Sequence, residues 1–214
     1  MPANDGTIYS RGTTARMNAS MNTDKKSLRH EAIARRKQVP AADRAAAGER
    51  LAAVAEPLLA VLRPGQTVAA YVSMGSEIPM DALLRRLLDV GCRVLVPRLG
   101  RGLDVGWGEL PSMDDLHDAG GARRPQEPDG ETLGMDALAE ASLVILPALM
   151  ADFVGTRLGR GGGWYDRALE HRAPNVTVAA VCWPWEVVNG PLPREPHDVP
   201  VTAVLTPEEL RYVG

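Results

Sequence analysis

The chain reads as an α/β protein with a single open, mainly parallel sheet flanked by helices. Three observations lead there. An apolar run at 67–73, a leucine-striped helical segment and a second apolar run at 92–96 have the spacing of a strand–helix–strand unit, which requires a right-handed crossover and a parallel pair. Apolar runs of strand length recur at 142–146, 176–182 and 201–205, with intervening segments long enough for crossovers. A glycine-rich segment at 159–163 follows one of these runs, at the strand end where open α/β sheets bind ligands.

The elements follow in order. Residues 1–23 are polar and lack the apolar centre of a signal peptide, so a disordered tail is expected there, with Met17 or Met21 as alternative starts. A single domain is expected over 24–214. A charged helix runs from Asp24 to about Val39 and is halted by Pro40. An alanine-rich helix follows to about Leu62, with a kink or break expected at Pro57. Pro79 opens a helix whose Leu83, Leu84, Leu87 and Leu88 mark one buried face, and Gly91 stops it. The run at 92–96 is expected to end at Pro97. Residues 104–109 read as a further strand, 111–136 as loop, and 164–171 as a helix. No internal repeat is visible.

Composition narrows the function classes. A net charge of −3 argues against a general nucleic-acid binder. No apolar stretch approaches the length of a membrane span, so no membrane partner is expected. Cys92 and Cys182 both fall in apolar, strand-like runs and read as reduced core thiols of a cytoplasmic protein. All the lysines (Lys25, Lys26, Lys37) fall in one early segment beside Arg29, Arg35 and Arg36.

Function concentrates in Leu158, Gly159, Arg160, Gly161, Gly162, Gly163, Trp164, Tyr165, Asp166 and Arg167. Glycines at four of five successive positions bare the backbone, so its N–H groups can approach a ligand closely. Arg157, Arg160 and Arg167 surround that backbone with guanidinium forks that match phosphate oxygens. The helix expected next would add its N-terminus. Asp166 makes sense beside phosphates chiefly if a cation lies between them. These residue types point to a polyphosphate with Mg²⁺. The chain contains no Gly-Lys dipeptide, which excludes a Walker A loop. Trp164 stands where a dinucleotide fingerprint needs its third glycine, and no acidic residue ends the run at 176–182.

The block from Pro147 to Asp152, continued from Gly155 to Arg167, resembles the signature of the 5-formyltetrahydrofolate cyclo-ligases (5,10-methenyltetrahydrofolate synthetases). Three weaker blocks resemble the same family in the same order. Lys25-Lys26-Ser27-Leu28-Arg29 is similar to its nucleotide contact, 71–78 to its folate-contacting strand end, and 193–198 to its Pro-x-x-x-His-Asp element. The resemblance covers roughly residues 24–210.

The resemblance implies conversion of 5-formyltetrahydrofolate to 5,10-methenyltetrahydrofolate, with ATP as co-substrate and Mg²⁺ as cofactor. It also implies an isomerase- and CoA-transferase-like three-layer sandwich. By the same resemblance, Lys25, Lys26, Arg29, Arg157 and the run from Leu158 through Tyr165 bind ATP. Lys25 and Arg160 are catalytic. Val72, Met74, Glu77, Trp164 and Tyr165 contact the folate, and Asp166 and Asp198 meet Mg²⁺. The working unit is expected to be a monomer.

The chain also departs from the family. Gly162 stands where some members carry lysine, Trp164 replaces a more usual tyrosine, and Trp183-Pro184-Trp185-Glu186 replaces the usual aromatic-acidic run. A non-catalytic or diverged nucleotide- or folate-binding protein on the same scaffold therefore stays open, as does a phosphosugar enzyme by fold analogy. Glu77 together with the Lys25/Arg29 pair favours the ligase.

Overall fold

The computed structural model describes residues 11–99, 105–120 and 124–214. Helices α1 (Arg11–Arg36), α2 (Ala41–Val54) and α3 (Glu56–Leu59) precede β1 (Thr67–Ala69), α4 (Asp81–Asp89), β2 (Arg93–Leu99) and β3 (Val105–Leu110). A short hairpin of β4 (Leu116–His117) and β5 (Glu127–Pro128) leads to β6 (Ala141–Pro147). Then come β7 (Met150–Asp152), β8 (Arg157–Leu158), α5 (Trp164–Leu169), β9 (Thr177–Val181), β10 (Val187–Val188), β11 (Ala203–Leu205) and β12 (Leu210–Tyr212).

Seven strands form the main sheet in the order β12-β11-β9-β6-β1-β2-β3. The inner strands are parallel, and β3 and β12 close the two edges antiparallel. Because successive side chains on a strand point to opposite faces, buried strands split their apolar residues between two cores. Val68, Val94, Leu143, Ile145 and Ala179 pack with α2, α3 and α4. Ala69, Leu95, Val144, Leu146 and Ala180 pack on the other face with Leu138, Trp107 and α5. The result is the α/β architecture expected, with its core on both faces of the sheet.

Most elements form for the reasons visible in their residues. Leu83, Leu84 and Leu87 of α4 are buried, while Leu88 only borders the core. Gly91, at φ +83°, ends that helix with paired bonds from its own N–H to Leu88 O and from Cys92 N–H to Leu87 O, the geometry of a Schellman stop. The break near Pro57 separates α2 from α3.

Some boundaries differ. Of the tail expected at 1–23, residues 1–10 lie outside the described residues. Helix α1 is continuous from Arg11 rather than starting at Asp24. No proline interrupts 11–36, and extending a helix that already exists costs little. Pro97 does not end β2, which continues to Leu99. It lies opposite Trp107, whose N–H and C=O are both committed to Leu133 on the far side of β3, so proline's missing N–H deprives nothing. Residues 111–136 hold the β4/β5 hairpin and 3₁₀ turns rather than bare loop, and Asp104 lies outside the described residues. Helix α5 stops at Leu169, short of His171.

Gly106 marks a tight crossing. A Cβ there would lie 2.0 Å from Leu133 O, a backbone atom held by the bridge to Trp107. Gly106→Ala should therefore lower the unfolding free energy by about 1–3 kcal/mol, the usual cost of overpacking. It would be read from the urea midpoint at constant slope, and an unmoved midpoint would show that the 133 segment can retreat freely.

Candidate active site

The chain leaves β1 towards β2 on one side of the sheet and leaves β6 towards β9 on the other. A crevice opens between strands whose connections diverge in this way. The cleft found there is lined by residues of three origins: the α1 face, the segments after β1 and β6, and the 195–198 loop.

From α1, Lys25, Arg29, Ala32 and Arg36 fall on one helical face by their spacing of four, three and four. Lys25 is only 5% exposed. Its Nζ donates to Glu195 Oε2 at 3.0 Å and to Asp198 Oδ2 at 2.8 Å. Arg29 Nε donates to Gly159 O at 2.9 Å, laying its guanidinium against Gly161. Arg36 donates from Nε and Nη2 to the two carboxylate oxygens of Glu186, at 2.7 and 2.6 Å, and from Nη2 to Ala148 O.

The glycine loop rises from β8. Gly161 (φ +96°) and Gly163 (φ +61°) adopt backbone that a side chain would strain. Arg157 Nη2 donates to Asp166 Oδ1 at 2.6 Å, and that oxygen also accepts from Val199 N–H at 3.2 Å. Arg160 reaches across the crevice, donating from Nε and Nη2 to Glu77 Oε1 at 3.2 and 3.0 Å. The other oxygen of Glu77 accepts from Met74 N–H at 3.0 Å, so this carboxylate both closes its own turn and faces the loop. Trp164 stands edge-on to Tyr165 and tilted against Trp107, with ring centroids 4.7 and 4.9 Å apart. Helix α5 has only six residues, so attraction for an anion falls to the arginines and bare amides rather than to a long helix dipole.

Most of the expected site residues meet here: Lys25, Arg29, Glu77, Arg157, the run from Leu158 to Asp166, and Asp198. Three stand apart. Lys26 is exposed and lies outside the lining, since adjacent residues on a helix face different ways. Val72 packs against the α2–α4 core, and Met74 contributes its backbone N–H to Glu77. Arg36 and Glu195 join the lining beyond the expected site residues, as does His197 of the Pro-x-x-x-His-Asp element. For Arg36 the signal was present, because it continues the helical face of Lys25 and Arg29. Glu195 lies within the 193–198 element, but its contact with Lys25 depends on the fold, which carries the 195–198 loop back to α1.

The carboxylates of Glu195 and Asp198 and the His197 imidazole offer ligand atoms within 4.8 Å of one another. The carboxylate oxygens among them, with Asp166 bonded beside them to Val199, suit a hard divalent cation. Burial, the largest single influence, would raise the Asp198 carboxyl, but the hydrogen bonds from Lys25 and from Glu195 N–H and the Lys25 charge together outweigh it and hold the group below its usual value. Burial would likewise lower Lys25, and hydrogen bonds to Asp198 and Glu195 outweigh that and raise it. Burial pushes the Tyr165 phenol well up, with the Glu77 charge adding to it, so the phenol stays protonated at ordinary pH.

The directions of these shifts fix the pH window. The depressed carboxyl of Asp198 stabilises the fold above the ordinary aspartate range and loses that contribution as pH falls through its folded value. The raised Lys25 stabilises below the ordinary lysine value and loses its share as pH rises through its own folded value. Asp198→Asn should thus lower the urea midpoint at neutrality and flatten the decline towards acid pH. Parallel acid limbs in the two proteins would remove the pair from the stability account.

Comparison with known proteins bears on the chain's descent and its fold. Residues 21–207 match the 5-formyltetrahydrofolate cyclo-ligase family. The 5-formyltetrahydrofolate cyclo-ligase of Mycolicibacterium smegmatis is 39% identical over 189 residues, which cover 86% of this chain and 94% of that protein. The Escherichia coli protein of the same name is 31% identical over 156 residues, covering 67% of this chain and 79% of its own. Among solved structures, the 5,10-methenyltetrahydrofolate synthetase of Aquifex aeolicus has a TM-score of 0.71 at 23% identity, covering 88% of this chain and 92% of its own. That of Mycoplasma pneumoniae has a TM-score of 0.63 at 16% identity, with 86% and 99% covered. At these identities the structural likeness speaks for the fold, and the sequence matches speak for descent. With the match spanning most of its length, the chain belongs to the 5-formyltetrahydrofolate cyclo-ligase family.

Proposed function

We propose that the chain is a 5-formyltetrahydrofolate cyclo-ligase, converting 5-formyltetrahydrofolate to 5,10-methenyltetrahydrofolate with ATP and Mg²⁺ and releasing ADP and phosphate. The observation that carries this is the Arg160–Glu77 contact, which joins the phosphate-type loop to a carboxylate suited to a heterocycle within one crevice. The formyl oxygen is amide-like and leaves poorly. Transfer of the γ-phosphoryl group to that oxygen expels ADP and creates a phosphate leaving group. The second folate nitrogen then closes on the formyl carbon, and phosphate carries the oxygen away.

The protein's task is alignment and stabilisation of spread negative charge. Lys25, Arg29, Arg157 and the amides from Gly159 to Gly163 hold the triphosphate, and Arg160 and Lys25 stabilise the group in transit. Leu158 backs the loop, while exposed Lys26 adds longer-range positive potential. Glu77 accepts hydrogen bonds from the pterin, with Trp164 and Tyr165 as an aromatic wall. Val72 and Met74 serve by holding the turn that presents Glu77. Asp166 and Asp198 hold Mg²⁺, which when bound neutralises phosphate oxygens. Lys25, Arg157 and Arg160 each rest on a carboxylate, so a polyphosphate that takes these cations releases Asp198 and Asp166 for the metal and Glu77 for the pterin. The setting we assign is cytoplasmic, supported by two buried free cysteines. We assign a monomeric domain over 24–214, in which α1, the glycine loop and the 195–198 loop meet at one cleft.

Mixing the protein with 5-formyltetrahydrofolate, ATP and Mg²⁺ should produce the near-ultraviolet absorbance of the methenyl product, dependent on both ATP and metal. ATP binding without that absorbance would replace the enzyme reading with the binding-protein reading. Arg160→Ala should cut turnover by about 10²-fold or more, as expected for a donor to transition-state charge. Asp166→Asn should shift the Mg²⁺ titration to higher concentration, and an unmoved titration would take Asp166 out of metal binding.

A further inference from the structure

Arg36 is 2% exposed yet belongs to the lining of the cleft. Its partner Glu186 is also 2% exposed, and that carboxylate is held again by Trp183 N–H at 2.9 Å. Arg36 Nε and Nη2 are committed to Glu186 and Ala148 O. Nη1 carries no hydrogen bond among the described residues, and it is not one of the donors sealed from solvent. A guanidinium so deeply set in a residue that lines the cleft, with one nitrogen uncommitted, is a donor open to an acceptor.

The kind of acceptor follows from the charges. Lys25, Arg157 and Arg160 are paired with carboxylates that themselves line the cleft and can be given up to a metal or substrate. Glu186 lies outside that lining, fixed by three hydrogen bonds, and cannot be given up. The Arg36–Glu186 pair is therefore lastingly neutral, and what it offers is a directed N–H rather than a net charge. Arg36 and Glu77 line the same cleft, and after Glu186 the charges of Glu77 and Tyr71 act on Arg36.

We infer that Arg36, locked by Glu186, determines substrate specificity by donating from Nη1 to an uncharged carbonyl oxygen of the folate. The inference rests on the folate reading of the cleft given above. Two oxygens qualify, the formyl oxygen and the carbonyl of the pterin ring. Arg36 thus contacts substrate, and Glu186 is a positioning residue that acts through it.

The test is calorimetric binding to the full chain without ATP. Three reduced folates are compared: the 5-formyl compound, a 5-methyl compound lacking the formyl oxygen, and a 2,4-diamino compound lacking the ring carbonyl. In the wild-type protein one of the two altered ligands should bind about tenfold or more weakly than the 5-formyl compound, the worth of a hydrogen bond to a charged group. The loss identifies the oxygen. The double variant Arg36→Met/Glu186→Gln removes the donor without stranding a buried charge, and should erase that preference while leaving ATP affinity unchanged.

Equal binding of all three ligands by the wild-type protein overturns the inference whether or not the variant folds. So does a folded double variant that keeps the preference. A wild-type protein that binds ATP but no reduced folate would overturn the folate reading itself, an outcome distinct from loss of discrimination among folates that do bind.

Discussion

The site depends on a constraint of chain topology: β1 and β6 lie side by side and parallel, yet their connections depart in opposite directions. Backbone cannot fill the gap between diverging connections, so side chains must. Glu77 comes from the segment after β1 and Arg160 from the segment after β6, and their contact is the span across the gap. A glycine loop on one bank alone would be a phosphate site of no particular specificity. Under the function proposed above, a carboxylate facing it from the other bank makes a site for two different molecules, one rich in phosphate and one rich in hydrogen-bond donors.

Helix α1 forms the roof, and it is fastened by polar more than apolar contacts. Lys25 is tied to the 195–198 loop, Arg29 to Gly159, and Arg36 to Glu186 and Ala148, with Ala32 a buried apolar residue on that face. Arg35 adds a contact over Trp185, which stacks on Trp183. These fastenings differ in permanence. The Arg36–Glu186 pair is sealed, and breaking a sealed pair by removing one partner costs about 3–5 kcal/mol because the other charge stays buried. The Lys25 contacts line the cleft and are those the polyphosphate of the proposed function competes for. The end of α1 near Arg36 is thus an anchor, while the end near Lys25 is coupled to whatever occupies the site.

The sequence was most readable where one local pattern had one physical cause. The sheet and the α2–α4 layer follow from leucine spacing, short apolar runs and proline or glycine stops. The glycine loop announced itself because backbone and charge pointed to one chemistry. What stayed hidden depended on distant neighbours. Pro97 looked like a strand end because its tolerance depends on Trp107 bonding to Leu133 instead. Glu186 looked like part of an unusual aromatic run because its partner Arg36 lies 150 residues earlier. Lys26 looked equivalent to Lys25 because adjacency in sequence conceals the turn between neighbouring helix positions.

The four glycines of the loop also divide on structural grounds. Gly161 and Gly163 are required by the fold, since their positive φ would strain any side chain. Gly159 and Gly162 have ordinary φ, and a Cβ at either would meet nothing within 4 Å. The fold alone would tolerate alanine at both. Their bareness therefore serves the space in front of the loop, where a ligand's oxygens can come up to the backbone amides. Gly162 is also the position where some family members carry a lysine, and Arg167 donates to its carbonyl at 3.3 Å, standing a cation beside it. The positive charge at this point of the loop is supplied from α5 by a guanidinium, leaving the backbone clear.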